Sequence, residues 1–173
     1  MDRYAFLLSI ISKLREVDSW AGNTHIQKTG EMVQSATGIR MYKYVMHHYG
    51  PYSFDLKDDL DLLVSRGFVG REPDEAAGYH YSLTSKGRGF LEQAELDKSE
   101  EDVRVIETIE KIGNLFGKSP TVVLELISTV DYYLNKFGTG EEEKVVETVR
   151  RIKPHFSEEV IRKALKIWKE KVT

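Results

Sequence analysis

A chain of 173 residues, 40% of them apolar, is long enough to bury a sizeable core and corresponds to one large domain or two small ones. The absence of cysteine excludes disulfides, thiol catalysis and cysteine-ligated zinc or iron–sulfur centres, and fits a reducing interior, so the cytoplasm is the expected location. The net charge of -3 offers a polyanion no overall attraction, and neither the start Met1-Asp2-Arg3-Tyr4 nor any later run has the apolar length of a signal peptide or membrane span.

Tyr4, Leu7, Leu8, Ile11 and Leu14 recur at helical spacing and predict a first amphipathic helix over 3–17. Asp18-Ser19 and Gly22-Asn23 break it. Asn23 or Thr24 is expected to cap a second helix over 24–36, with Ile26, Gly30 and Val33 on one face and Gly30 permitting close helix contact. Gly38 ends that helix. Residues 41–49, with Tyr42, Tyr44, Val45 and Tyr49, predict a strand, and Gly50-Pro51 a turn. Ser53 is the expected N-cap of a third helix reaching about Arg66, which buries Leu56, Leu60, Leu63 and Val64. Its outward face carries Asp55, Asp58, Leu62, Ser65 and Arg66, with Asp59 and Asp61 on the flanks. Gly67 closes it, 68–71 and 79–84 predict a hairpin around an acidic tip, and Thr84 caps a helix running from 85 into the 90s.

Residues 97–102 are polar and read as a junction. Beyond them every stripe is helical: Val105, Ile106, Ile109, Ile112 and Phe116; then Val123, Leu126, Ile127, Val130, Leu134 and Phe137; then Val145, Val146, Val149 and Ile152; then Val160, Ile161, Ala164, Leu165 and Trp168. Ser119-Pro120, the Thr139/Glu142 pair and Ser157 are the expected starts of the last three helices. The fold class is therefore mostly α with a small antiparallel sheet (α+β), a winged-helix-like domain over 1–97 and a helical C-terminal unit over 98–173.

His25-Ile26-Gln27-Lys28, Tyr49-Gly50-Pro51-Tyr52-Ser53 and Leu60-Asp61-x-Leu63 leading to Gly67-Phe68-Val69 resemble the Panacea-type, antitoxin-associated winged-helix-like domain. Leu124-Glu125-Leu126 to Thr129, and Ile152-Lys153-Pro154 to Ser157, are similar to a related group of uncharacterised bacterial and archaeal proteins. The resemblance implies toxin neutralisation or an adaptor role exercised through protein contacts. A common winged helix places its first strand before a helix-turn-helix pair. Here the strand-like 41–49 directly precedes a single helix, which does not suit a standard DNA reader.

Catalytic signatures are missing: the chain contains no Gly-x-Ser-x-Gly elbow, no phosphate-cradling loop and no His-Glu-x-x-His. His25, His47, His48, His80 and His155 are the only nitrogen ligands, and the adjacent pair would point to opposite faces of a strand. No catalytic, cofactor or metal site is expected. Two binding functions remain. In the first, a non-enzymatic regulator or adaptor offers Phe54, Asp55, Asp58, Asp61, Leu62, Asp74 and Glu75 to a basic protein surface. In the second, a DNA-binding transcriptional regulator, a homodimer through its C-terminal helices, contacts phosphates with Lys28, Arg40, Lys43, Arg162, Lys163 and Lys166. The acidic third helix and wing tip favour the first, because a phosphate backbone would be repelled there.

Overall fold

A computed structural model of the protein describes residues 1–74, 78–94, 98–138 and 140–172. The order is α1 (Arg3–Glu16), α2 (Asn23–Thr37), β1 (Val45–His47), β2 (Gly50–Tyr52), α3 (Phe54–Ser65), β3 (Val69–Asp74), β4 (Gly78–Leu83), α4 (Ser85–Ala94), α5 (Glu100–Phe116), α6 (Thr121–Phe137), α7 (Glu142–Ile152) and α8 (Glu158–Lys171). It is an α+β fold, mostly helical, with two antiparallel sheets of two strands each. No helix among the described residues is long and apolar enough to cross a membrane.

Several helix ends follow their expected chemistry. Ser53 accepts a hydrogen bond from the Leu56 N–H (3.2 Å), Thr84 from that of Gly87 (3.1 Å), and Ser157 from that of Val160 (3.3 Å). Others do not. Gly22 occupies the N-cap of α2 in place of Asn23 or Thr24, and Pro120 is the N-cap of α6 rather than its first helical residue. The predicted junction at 97–102 is partly helix: Ser99 and Asp102 form a reciprocal capping box that starts α5 at Glu100. Thr139, the expected cap of α7, lies outside the described residues.

The largest departure is at 41–52. Only Val45–His47 is strand, and Gly50-Pro51, expected as a turn, forms β2 with Tyr52, in register Val45↔Tyr52, Met46↔Pro51 and His47↔Gly50. The cause is Gln34. Its side-chain oxygen accepts from the N–H groups of Met41 (2.9 Å) and Tyr42 (2.7 Å), and its Nε2 donates to the Tyr42 carbonyl (3.0 Å). Those backbone groups would otherwise serve a strand ladder. Tyr42 is drawn into the core, and the sheet starts only after it.

All of residues 25–34 in α2 are buried, and α2 packs against α1, α5, α6 and β2. One apolar core runs from Phe6 and Ile10 of α1 through Met32 and Val33 to Val130, Val149 and Trp168, without a break at the start of the C-terminal helices. Gly30, expected to admit a neighbouring helix, admits side chains: a Cβ there would sit 2.7 Å from the Tyr44 hydroxyl and 3.2 Å from Leu56 Cδ1. The β3–β4 hairpin is joined by Gly22, which bridges to His80, and by Ala21, whose carbonyl accepts from the Tyr81 N–H (3.1 Å).

Gly50 has φ +86° and lies so close to α6 that a Cβ would meet Thr129 Oγ1 at 2.9 Å and the Glu125 carbonyl at 3.3 Å. Left-handed backbone and steric overlap act together, so Gly50→Ala is expected to cost about 2–3 kcal/mol. A urea titration would check it, and an unchanged midpoint would contradict this packing.

Candidate functional site

The expected contact residues fall into three groups. Phe54, at the start of α3, is 59% exposed and meets Tyr52 (ring centroids 5.1 Å apart) and His47 (6.2 Å). Val45 and Tyr49 are exposed on the same hairpin, Tyr49 by 71%, and Asp55 and Asp58 follow Phe54 on α3. Asp55 and Asp58 are exposed, and neither has an ion-pair partner among the described residues. The other α3 carboxylates are engaged. Asp59 turns inward to Arg3 (2.9 Å) and accepts from the Tyr42 hydroxyl (3.0 Å), while Asp61 pairs with Lys57 and lies 4.0 Å from Arg71. The helix is thus less acidic than its composition.

Leu62 is not part of that surface. It lines a separate apolar cleft of about 240 Å³ with Tyr4, Leu8, Phe68 and Phe90. Asp74 is half-buried at the end of β3 and already has an interaction partner. Glu75 lies outside the described residues. The sequence set therefore reduces to Phe54, Asp55 and Asp58, with Asp61 neutralised beside them. What it lacks is the β1–β2 hairpin, whose signal was the exposed Tyr49 next to a glycine.

The predicted phosphate contacts do not gather into one patch. Lys28 is 2% exposed and its Nζ donates to the Pro51 carbonyl (2.6 Å), so it cannot reach a phosphate. Arg162 is held by both oxygens of Glu143 (2.7 and 2.6 Å) and by Glu158, and Lys166 lies 3.7 Å from Glu170. Lys163 is exposed on α8. Arg40 and Lys43 are exposed along a groove of about 810 Å³ between the 38–44 segment, α2 and α6.

A second group of polar residues lies at the α2–α6 contact. Toward one end, Lys28 faces Glu125, which pairs with Lys153 (2.6 Å), and Lys153 also donates to the His48 carbonyl. At the other end Ser35 donates to Asp131 Oδ1 (2.6 Å), to which Asn135 donates as well (3.1 Å). Glu31 lies between these ends and next to Asp131. Glu31 Oε2 and Asp131 Oδ2 have no hydrogen bond of normal geometry to a donor among the described residues. One proton held between the two carboxyls satisfies both. Burial, reinforced by the neighbouring Asp131, holds the Glu31 carboxyl well above the usual range. Burial also raises Asp131, to about 7, against the opposing hydrogen bonds from Ser35 and Asn135. Lys28 is lowered to about 8, again by burial.

Sequence reasoning missed this cluster. The available signal was Asp131 itself, four residues after Ile127 and three before Leu134, on the buried side of a strongly apolar helix. Among the described residues no group of three or more histidines or carboxylates is arranged to hold a metal ion.

No family model matches the chain. It is similar to the uncharacterized protein YwgA of Bacillus subtilis (strain 168), 28% identical over 163 residues, which span 92% of this chain and 90% of that protein.

The buried groups give stability a defined pH dependence. Asp131 has its folded pKa raised, so its contribution is complete below the ordinary carboxyl range and is lost as pH rises from about 4 through about 7. Lys28 has its folded pKa lowered, so its contribution is complete above the ordinary value of 10.5 and is lost as pH falls through about 8. Between them they place a stability minimum near pH 7–8. Thermal melts from about pH 4 to 10 should show it. Asp131→Asn should weaken the acid limb, to which the buried Glu31 also contributes, and Lys28→Met should remove the alkaline one.

Proposed function

We propose that this protein is a non-enzymatic regulator or adaptor, working in a reducing compartment such as the cytoplasm, that binds a basic protein surface through the β1–β2 hairpin and the start of α3. The observation that carries this reading is the exposed Phe54, in edge contact with the half-buried Tyr52 and with Tyr49 exposed on the same hairpin, next to Asp55 and Asp58, neither of which has an ion-pair partner among the described residues. Aromatic side chains supply large contact area at low entropic cost, and tyrosine in particular is enriched at protein interfaces. Flanking acids steer a basic partner and favour cations stacked on the rings. The resemblance to Panacea-type domains points to the same kind of role, with a toxin as one class of partner.

Arg40 and Lys43 favour a second reading, a DNA-binding regulator, since both are exposed on one short segment and neither is ion-paired among the described residues. Two cations release few counterions, and Asp55, on the same groove, would oppose them.

The test is affinity capture from the source cells with the wild type and a Phe54→Ser, Asp58→Lys variant. Both sites are exposed, so the variant should fold with stability within about 1 kcal/mol of the parent. Loss of the captured basic protein in the variant is the expected result, and undiminished capture would exclude this face. A mobility shift on duplex DNA that weakens steeply with salt and disappears in Arg40→Glu, Lys43→Glu would instead establish the second reading.

A further inference from the structure

We propose that the apolar cleft between α1, the C-terminal end of α3 and α4 binds a small amphipathic carboxylate, an acid group on a short apolar body, with the body against Leu62, Phe68 and Phe90 and the carboxylate on Arg66. This site is separate from the hairpin face and does not rest on it.

The cleft has a volume of about 240 Å³. That is smaller than a drug-sized pocket and suits a compact ligand of about ten heavy atoms. Leu8 of α1 and Leu63 of α3, both buried, lie at its base, and the half-buried Tyr4, Leu62, Phe68 and Phe90 form its walls. The fold holds these walls in place. The Phe68 and Phe90 rings meet edge to face with centroids 5.6 Å apart, and Thr84 donates to the Gly67 carbonyl (2.7 Å) where the chain leaves α3. A ligand that enters therefore has little to order, which lowers the cost of binding.

Charge complementarity selects the head group. Among the described residues Arg66, exposed at the C-cap of α3, is the one charged group lining the cleft, and it has no ion-pair partner. Lys86 adjoins it: its ammonium donates to the Arg66 carbonyl (2.9 Å) and stands 4.2 Å from the centroid of the Phe68 ring. That bond also offsets the partial negative charge at the end of α3. The α3 carboxylates do not compete for Arg66. Asp59 is turned to Arg3 and Tyr42, Asp61 is paired with Lys57, and Asp58 stands two turns before Arg66, about 12 Å along the helix. A cation would meet two like charges here, and a neutral alcohol would leave Arg66 to water. A carboxylate accepts two parallel bonds from a guanidinium.

Leu62 and Arg66 are four residues apart on α3, so an apolar wall and a guanidinium follow one another on a single helix face. A short acid lying along that face reaches both at once.

Isothermal titration of the full chain with 3-phenylpropanoate, 3-phenylpropanol, 3-phenylpropylamine and acetate tests this. At about pH 7.5 the aromatic acid should bind with a dissociation constant of roughly 0.1–1 mM, the alcohol and the amine at least about tenfold more weakly, and acetate without measurable heat. Arg66→Gln, at an exposed site, should bring the acid's affinity down to that of the alcohol, and Arg66→Lys should restore part of it. Leu62→Asp, which sets a negative charge in the wall, should abolish binding of the acid. Equal binding of the alcohol or the amine, no binding of the acid, or an affinity unmoved by Arg66→Gln would overturn the proposal. Binding of acetyl-alanyl-leucine, a peptide with a free carboxyl terminus, at least about tenfold more tightly than of 3-phenylpropanoate would also overturn it, and would assign the cleft to the C-terminus of a protein partner.

Discussion

The fold depends on a helix that is buried along almost its whole length and yet carries polar side chains on every side. From His25 to Gln34, α2 has no solvent-facing stripe, so each of Gln27, Lys28, Glu31 and Gln34 must find a partner inside the protein or lose the hydrogen bonds that water would give. The partners are largely the backbone of the irregular segment that follows. Gln27 exchanges two bonds with Ser53, Nε2 to its carbonyl and Oε1 from its N–H, both at 2.9 Å. Lys28 takes Pro51, and Gln34 takes Met41 and Tyr42. A non-repetitive stretch of chain is thereby held as firmly as a strand, and the helix's own demand for partners is met by the same bonds.

Glu31 has no such recourse, and its solution differs. It faces Asp131 across the α2–α6 contact with Lys28 near enough to act on its charge, and burial together with the like-charged neighbour holds the Glu31 carboxyl well above its ordinary range. At the far end of the same contact the opposite arrangement holds: Glu125 meets Lys153 at 2.6 Å with both side chains largely buried. Helix α6 thus contributes one carboxyl to a satisfied ion pair with the end of α7 and another to an acid pair with α2. Breaking the first by removing one partner leaves an isolated buried charge, whereas the second is already poised between two protonation states.

Much of the architecture was legible from apolar spacing and caps. Helices α1, α3 and α5 to α8 lie where their stripes placed them, and Ser53, Thr84 and Ser157 cap as their chemistry suggests. What was not legible has a common cause, which is that single side chains act on distant backbone. Nothing in the local pattern of 41–49 indicates that Gln34 would claim the N–H groups of Met41 and Tyr42, so the strand was drawn too long. The acidity of α3 was likewise read from a helical wheel, which cannot show that Arg3 and Tyr42, more than fifteen residues away, reach Asp59. The buried cluster was hidden because only one face of α2, that of Ile26, Gly30 and Val33, carries an apolar signal, and nothing local shows that its polar residues are enclosed as well. Only the carboxyl at 131, seated in an apolar stripe, contradicted its neighbours.

The β1–β2 hairpin is short, and an isolated two-stranded ribbon of three residues a side would not hold its shape in water. This one is fastened from three directions: by Lys28 of α2 through Pro51, by Lys153 at the end of α7 through His48, and by the close seating of Gly50 on Thr129 of α6. Anything that lands on Tyr49 or Phe54 meets a main chain already immobilised by folding. Association there costs only the rotamer freedom of the rings, so recognition at this corner resembles a key meeting a fixed ward more than a flap closing over its target.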